Sequence, residues 1–217
     1  MRDYNYSIYK KYIKRPMDFT LALVALILLS PVFLIVSLLV RINLGTPVIF
    51  KQKRPGKDEQ IFTIYKFRTM TDERNKNGKL LPNSIRLTKF GRFLRSTSLD
   101  ELPELINILK GDMSFIGPRP LAIEYLPYYT EQERMRHSVR PGLSGLAQIN
   151  GRNTVYWEER FLYDLEYVEN ITFLRDIKII LKTMIKVIKR VDIGESGVDT
   201  PIDFDQYRRE KFEVRDI

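Results

Sequence analysis

Asp100 and Glu101, adjacent in the stretch SLDELP at 98–103, are the residues of this chain best suited to do chemistry. They stand just ahead of Pro103 and the helix-forming run ELINILK. A carboxylate at a helix start is kept anionic by amide donors and the helix dipole, so Asp100 could act as a nucleophile that forms an acyl phosphate. Glu101 offers hard oxygens that suit a magnesium ion carrying a diphosphate. Capping is the plainer reading of the same residues. Ser98 and Glu101 have the spacing of a capping box, yet a cap at Ser98 would place Pro103 inside the helix. A cap at Asp100 leaves that proline harmless in the first turn.

Downstream, GPRP (117–120) fixes Arg119 between two prolines, which presents a guanidinium rigidly for bidentate contact with phosphate. Upstream, YKFRTM (65–70) sets Lys66 and Arg68 on one strand face by period two, to meet phosphate or water. The segment RPGLSGLAQINGR, Arg140 to Arg152, carries glycines with polar Gln148 and Asn150 and reads as a nucleotide-contacting loop. It lacks both the P-loop and the dinucleotide fingerprints.

Composition narrows the chemistry further. With no cysteine there is no thiol nucleophile, disulfide or Cys-based metal site. His137 is the single histidine, which removes histidine clusters and argues against zinc catalysis. Carboxylate, Lys, Arg, Tyr and hydroxyl groups remain. The 36 Lys and Arg against 27 Asp and Glu give a formal charge of +9, which suits anionic lipid, phosphorylated substrates or nucleic acid as well as plain solubility.

The elements that must position these groups begin with an apolar run. From Phe19 to Val40 no residue is charged, and only Thr20, Ser30 and Ser37 are polar. Such a run just covers a hydrocarbon core of roughly 30 Å as one helix. It is too long for a signal-peptide core and no cleavage site follows. Two topologies fit: a spanning helix with a tolerated proline kink, and a re-entrant hairpin with limbs Phe19–Leu29 and Val32–Val40. Pro31 removes a backbone donor at the midpoint, and Ser30 can satisfy a carbonyl freed by the bend. Lys10, Lys11, Lys14 and Arg15 precede the run while Arg41, Lys51, Lys53 and Arg54 follow it. Positive residues on both sides favour the hairpin.

Beyond it, Val48–Gln52 and Ile61–Phe67 flank a turn-forming KRPGKDEQ and predict a β-hairpin. Asp72 to Asn83 reads as an exposed loop, and Arg86 to Ser96 as a short interfacial helix. In Phe173–Arg190, Ile177, Ile180, Leu181, Met184 and Ile188 share one helical face with Lys178, Lys182, Lys186 and Lys189 on another. Such a helix fits either an anionic membrane surface or the protein core. The polar tail after Gly194 reads as flexible or peripheral.

Four motifs in order, the Ser-Pro apolar run, KFRTM, SLDELPELINILKGDMSFIGPRPL and RPGLSGLAQINGR, resemble the bacterial sugar transferases, the monotopic phosphoglycosyl transferases. The likeness runs from about Lys14 to about Lys189 and is closest in kind to the small members that act on N,N′-diacetylbacillosamine. It implies transfer of a sugar 1-phosphate from a UDP-sugar to a polyprenyl (undecaprenyl) phosphate, with release of UMP, as the first membrane step of glycoconjugate assembly. It implies Asp100 as nucleophile, Glu101 as the ligand of Mg2+, phosphate contacts from Lys66, Arg95 and Arg119, and a further acidic site position at Asp164. Ser30 and Pro31 become the membrane bend, with the chain facing the cytoplasm at the bacterial inner membrane among its anionic lipids and no nucleic acid partner. The expected fold is α+β and mostly helical, a single domain over 1–217. Its parts are a re-entrant helix-break-helix at 14–42, a catalytic part at 43–190 with amphipathic interfacial helices and a small β-hairpin around the active site, and a peripheral tail at 191–217. The competing expectation is a single-span anchor carrying a basic module for lipid headgroups or nucleic acid.

Overall fold

A computed structural model of the protein describes residues 8–151, 156–189 and 203–213. The chain enters through a π-helical turn, Tyr9–Ile13, that runs into α1, Lys14–Leu28. A second limb, α2, spans Ser30–Leu44, and the two are bent by 65° at Leu29. Pro31 lies in the first turn of α2, where a missing N–H costs nothing, and the Ser30 hydroxyl donates to the Ile27 carbonyl at 2.8 Å. The break therefore falls one residue before the Ser-Pro pair. Each limb has 15 residues, more than expected, and so reaches about 22 Å. No single helix among the described residues is long and apolar enough to cross a membrane; only the bent pair together is.

One stripe of each limb faces protein. Ala22 packs with Ile64, Leu105, Ile108 and Met113, while Val36, Val40 and Leu44 pack with Phe67 and Leu94. The opposite stripes, Leu23, Ile27 and Leu28 on α1 and Leu34, Leu38 and Ile42 on α2, are exposed. An exposed apolar surface of that extent marks contact with lipid or protein.

The β-hairpin forms as expected, with β1 (Ile49–Pro55) antiparallel to β2 (Ile61–Phe67) and Phe50 opposite Lys66. A long loop holds only the short α3 (Asn83–Arg86) before α4 (Lys89–Ser96), whose Thr88 cap accepts from the Gly91 amide. A side chain at Gly91 would place its Cβ 1.9 Å from the Thr69 carbonyl oxygen, so glycine lets α4 lie on the end of β2. After a 3₁₀ turn come α5 (Glu104–Lys110) and β3 (Ser114–Ile116), then α6 (Glu131–Arg134). Next is β4 (Gly142–Ser144), which pairs parallel with β3. The chain continues through α7 (Leu146–Gly151), α8 (Trp157–Glu169) and α9 (Phe173–Lys189). This is the expected α+β, mostly helical fold.

On α9 one face packs on the protein core, as one reading of the amphipathic helix expects, and another face is exposed. Ile179 is buried and Ile180 packs on the core, whereas Leu181, Met184, Ile185 and Ile188 point outward. The tail expectation needs correction. Residues 204–213 form α10 (Phe204–Glu213), and Phe204 is fully buried among Tyr125, Tyr129, Trp157 and Phe161. Arg208 pairs with Glu133. A polar composition concealed one aromatic anchor. The remainder of that tail, 191–202 and 214–217, lies outside the described residues, as does Arg152.

Polar contacts fasten α1 to this body. Arg15 donates to the Ile108 and Leu109 carbonyls at the end of α5, and Asp18 accepts from the Ser114 hydroxyl. Asp176 on α9 accepts from the Tyr9 and Tyr167 hydroxyls and from Lys14, and it is 1% exposed. Asp176→Ala should lower stability by about 3 kcal/mol, because Lys14 would be left as a largely buried, unpaired charge. Chemical unfolding in detergent micelles measures this, and a loss under 1 kcal/mol would refute it.

Candidate active site

Ser98 adopts a left-handed conformation, φ 55°, which ends α4 and swings the chain into the 3₁₀ turn Leu99–Glu101. That conformation costs a non-glycine residue roughly 1 kcal/mol. Pro103 then occupies the position before Glu104, and α5 begins there. Neither capping reading holds: among the described residues no side chain caps the turn or α5, and Asp100 is left to face a cleft.

Glu101 is the hub. Its Oε1 accepts from Lys66 Nζ at 2.7 Å and from Arg119 Nη2 at 2.8 Å. Lys66 also lies 3.0 Å from Glu104 Oε1, a buried carboxylate of α5. Lys66 comes from β2, Glu101 from the turn and Arg119 from the loop after β3, so the hub joins three segments. Arg95 on α4 donates to the Thr69 hydroxyl at 3.1 Å and adds its charge near Asp100.

Burial and the neighbouring Glu101 raise the Asp100 carboxyl to about 6, against the pull of Lys66, Arg95 and Arg119. Burial would raise Glu101 too, but Lys66 and Arg119 outweigh it and hold Glu101 well below the usual carboxylate range. Glu104 is raised to about 7 by burial, with Lys66 opposing and Glu101 adding to the rise. Two adjacent carboxylates are thus driven apart, one firmly anionic and the other titrating near neutrality.

Arg68, expected beside Lys66 on the strand, lies past its end and is buried. It donates to the Thr46 and Met70 carbonyls and pairs with Asp72, so it clips loops together. Asp164 on α8 lines the cleft but is itself buried, with Arg136 donating to its Oδ2 from Nε at 3.0 Å and Nη2 at 2.8 Å. The same Nη2 donates to the Arg119 carbonyl at 2.8 Å. The structure therefore brings Lys66, Arg95, Asp100, Glu101 and Arg119 to one place and sets Asp164 beneath the Arg119 loop. Ser30 and Pro31 lie apart, at the helix break.

Sequence reasoning missed Arg136, Glu104, Arg54 and Arg160 as site components. Arg54 and Arg160 line the cleft, and only the excess of basic residues hinted at them. The cleft has a volume of about 1100 Å³ and is lined by eight basic against four acidic side chains. It is suited to a ligand of several negative charges.

A family model described as bacterial sugar transferase matches residues 9–190. The chain is 52% identical to the uncharacterized sugar transferase EpsL of Bacillus subtilis (strain 168), over 85% of this chain and 92% of that protein. It is 42% identical to the UDP-glucose:undecaprenyl-phosphate glucose-1-phosphate transferase of Klebsiella pneumoniae, over 80% of this chain and 39% of that one. It is 37% identical to the undecaprenyl-phosphate galactose phosphotransferase of Salmonella typhimurium, over 83% of this chain and 41% of that one. The chain thus spans nearly all of the first relative and about two fifths of the other two. Two of these names specify glucose or galactose.

In ligand-free protein without divalent ions, the Asp100 carboxyl should titrate near pH 6. Arg95→Ala removes a charge that favours the anion, so the midpoint should rise; Glu101→Gln removes a like charge, so it should fall. Carbon-13 NMR of labelled aspartate, assigned with Asp100→Asn, reads the midpoint. Shifts in the opposite directions would overturn this electrostatic assignment.

Proposed function

The chain belongs to the bacterial sugar transferase family, and from that premise we propose that it moves a sugar 1-phosphate from a UDP-sugar to a polyprenyl phosphate and releases UMP. The observation that carries this reading is the Asp100–Glu101 pair facing a basic cleft beside a bent apolar helix pair. Polar donor and lipid acceptor need such a meeting point.

Asp100 is the nucleophile. Its carboxylate oxygen attacks the phosphorus bonded to the sugar, and the bond from that phosphorus to the oxygen bridging to UMP breaks. UMP leaves with the electron pair, and an acyl phosphate joins the sugar phosphate to Asp100. An oxygen of the polyprenyl phosphate then attacks the same phosphorus; the Asp100 carboxylate departs and a new diphosphate bond remains. Neither step requires a proton to be removed from a nucleophile. The demands are in-line placement and charge neutralisation. Lys66, Arg95 and Arg119 supply the positive charge.

The family implies a magnesium ion. No three acidic or histidine side chains gather into a metal cage among the described residues. Lys66 and Arg119 both contact Oε1 of Glu101, so its carboxylate keeps an oxygen with which it would hold such an ion together with substrate phosphate, as magnesium commonly binds. When bound, the ion neutralises charge developing on the departing diphosphate oxygen.

In this reading α1 and α2 enter and leave the cytoplasmic face of the inner membrane. Support comes from the 65° break, the outward apolar stripes and the Lys and Arg residues at both ends. A single-span anchor would instead set the Lys and Arg residues before α1 and those after α2 on opposite faces, and a binding module would not need the family's Asp-Glu pair.

Magnesium-dependent UMP release should occur with at least one UDP-sugar, and a screen beginning with UDP-glucose and UDP-galactose finds it. Asp100→Asn should lower that release at least about a thousandfold, the scale of losing a covalent nucleophile; wild-type turnover in this variant would refute the assignment. Because protonation removes the nucleophile, kcat/KM should fall as pH drops through the titration of the Asp100 carboxyl, whose midpoint a cation at Glu101 would move below its metal-free value. The chain has no cysteine, so Lys11→Cys and Lys53→Cys each introduce a unique thiol. Both should react with an impermeant reagent from the cytoplasmic side alone, and labelling from opposite sides would establish a span.

A further inference from the structure

Gln148, on α7, is 8% exposed, and neither its Nε2 nor its Oε1 has a hydrogen-bond partner among the described residues. A buried side-chain amide left unpaired is costly and rare, and at a cavity wall it points to a ligand. Gln148 lines two cavities. One is the basic cleft; the other is a separate space of about 300 Å³ with mostly apolar walls. Among the described residues, Ser98, Glu101, Arg119 and Gln148 border both, so the two spaces adjoin at these four.

The walls of the apolar space include Leu105 and Leu143, Leu29 at the helix break and Met184 of α9. Leu29 and Met184 adjoin the two outward apolar surfaces of the fold. Its occupant must therefore have a phosphate-like polar end and a long apolar body that continues toward lipid. A nucleotide sugar, polar throughout, matches the basic cleft and not this space.

We infer that the apolar cavity holds the first isoprene units of the polyprenyl phosphate, and that Gln148 donates its amide N–H to an oxygen of the lipid's phosphate beside Arg119. The inference rests on the transferase reading above. An uncharged donor suits this position because the same phosphate must advance to the phosphorus carried on Asp100, and a second fixed cation would hold it back. The amide also has one acceptor oxygen left, which a bridging water or a protonated phosphate oxygen can satisfy.

The experiment uses full-length protein in vesicles with magnesium, an accepted UDP-sugar and undecaprenyl phosphate. Gln148→Leu should raise the acceptor KM roughly tenfold, as expected for one hydrogen bond to a charged group, and Gln148→Glu should raise it further by repulsion. The burst of UMP formed without acceptor should keep its amplitude, and the donor KM should not move. A raised donor KM, or an unchanged acceptor KM, overturns the inference. If Gln148→Leu does not fold, Leu143→Trp fills the cavity from another wall, and an acceptor KM that stays at the wild-type value overturns it equally. Failure of the wild-type protein to release UMP from any UDP-sugar would instead sink the transferase reading.

Discussion

One carboxylate oxygen, Oε1 of Glu101, accepts from both Lys66 and Arg119, and most of the site's geometry follows from that shared contact. The two cations come from a β-strand and a loop more than 50 residues apart in the chain. Each would repel the other without an anion between them. Bringing three charges out of water costs several kcal/mol per ion, so the cluster persists only because its charges alternate. Its yield is position: the turn that carries Asp100 is pinned to the sheet on one side and to the proline-bounded loop on the other. The electrostatics follow as well. Because Glu101 takes the stabilisation from Lys66 and Arg119, Asp100 beside it titrates higher.

The bent helix pair sets where this cluster works. Its two limbs are too short to cross a bilayer singly, and their inner stripes pack on β2, α4 and α5, the elements that carry Lys66, Arg95 and Glu104. The exposed apolar stripes and the site are therefore carried by the same packed elements. Arg15 and Asp18 at the base of α1 add directional contacts that apolar packing alone would not supply. Depth relative to the limbs is built into the fold.

Much of this was legible in the chain because it is local. The β-hairpin follows from β-branched and aromatic runs around a Pro-Gly turn, and the helix break from a proline amid an apolar run. The Asp-Glu pair stood out as adjacent carboxylates before a proline. What escaped notice was non-local. Capping is a local rule, and it failed at Asp100 because Ser98 turned left-handed and moved the helix start to Glu104. Arg136 lies in an unremarkable RMRHS stretch, and only the folded chain shows its guanidinium joining Asp164 to the Arg119 carbonyl. The glycine-rich stretch around Gln148 read as a nucleotide-contacting loop, whereas the residue lies on a helix, α7. Its unpaired amide is a property of its surroundings.

The C-terminal helix extends the same logic outward. Phe204 stacks on Tyr129 with ring centroids 5.2 Å apart and meets Phe161 at 5.1 Å. The Arg136 guanidinium lies over both of those rings, at 5.8 and 5.7 Å. Arg136 in turn holds the backbone of Arg119. A contact path thus runs from a helix outside the family-matched region, through an aromatic cluster, to a cation at the site. Prolines alone restrict the backbone dihedrals of the loop but leave its position over the cleft free to drift. The hydrogen bond from Arg136 removes that freedom, and the aromatic cluster removes it for Arg136. Rigid presentation of Arg119 is therefore a product of packing as much as of the two prolines that flank it.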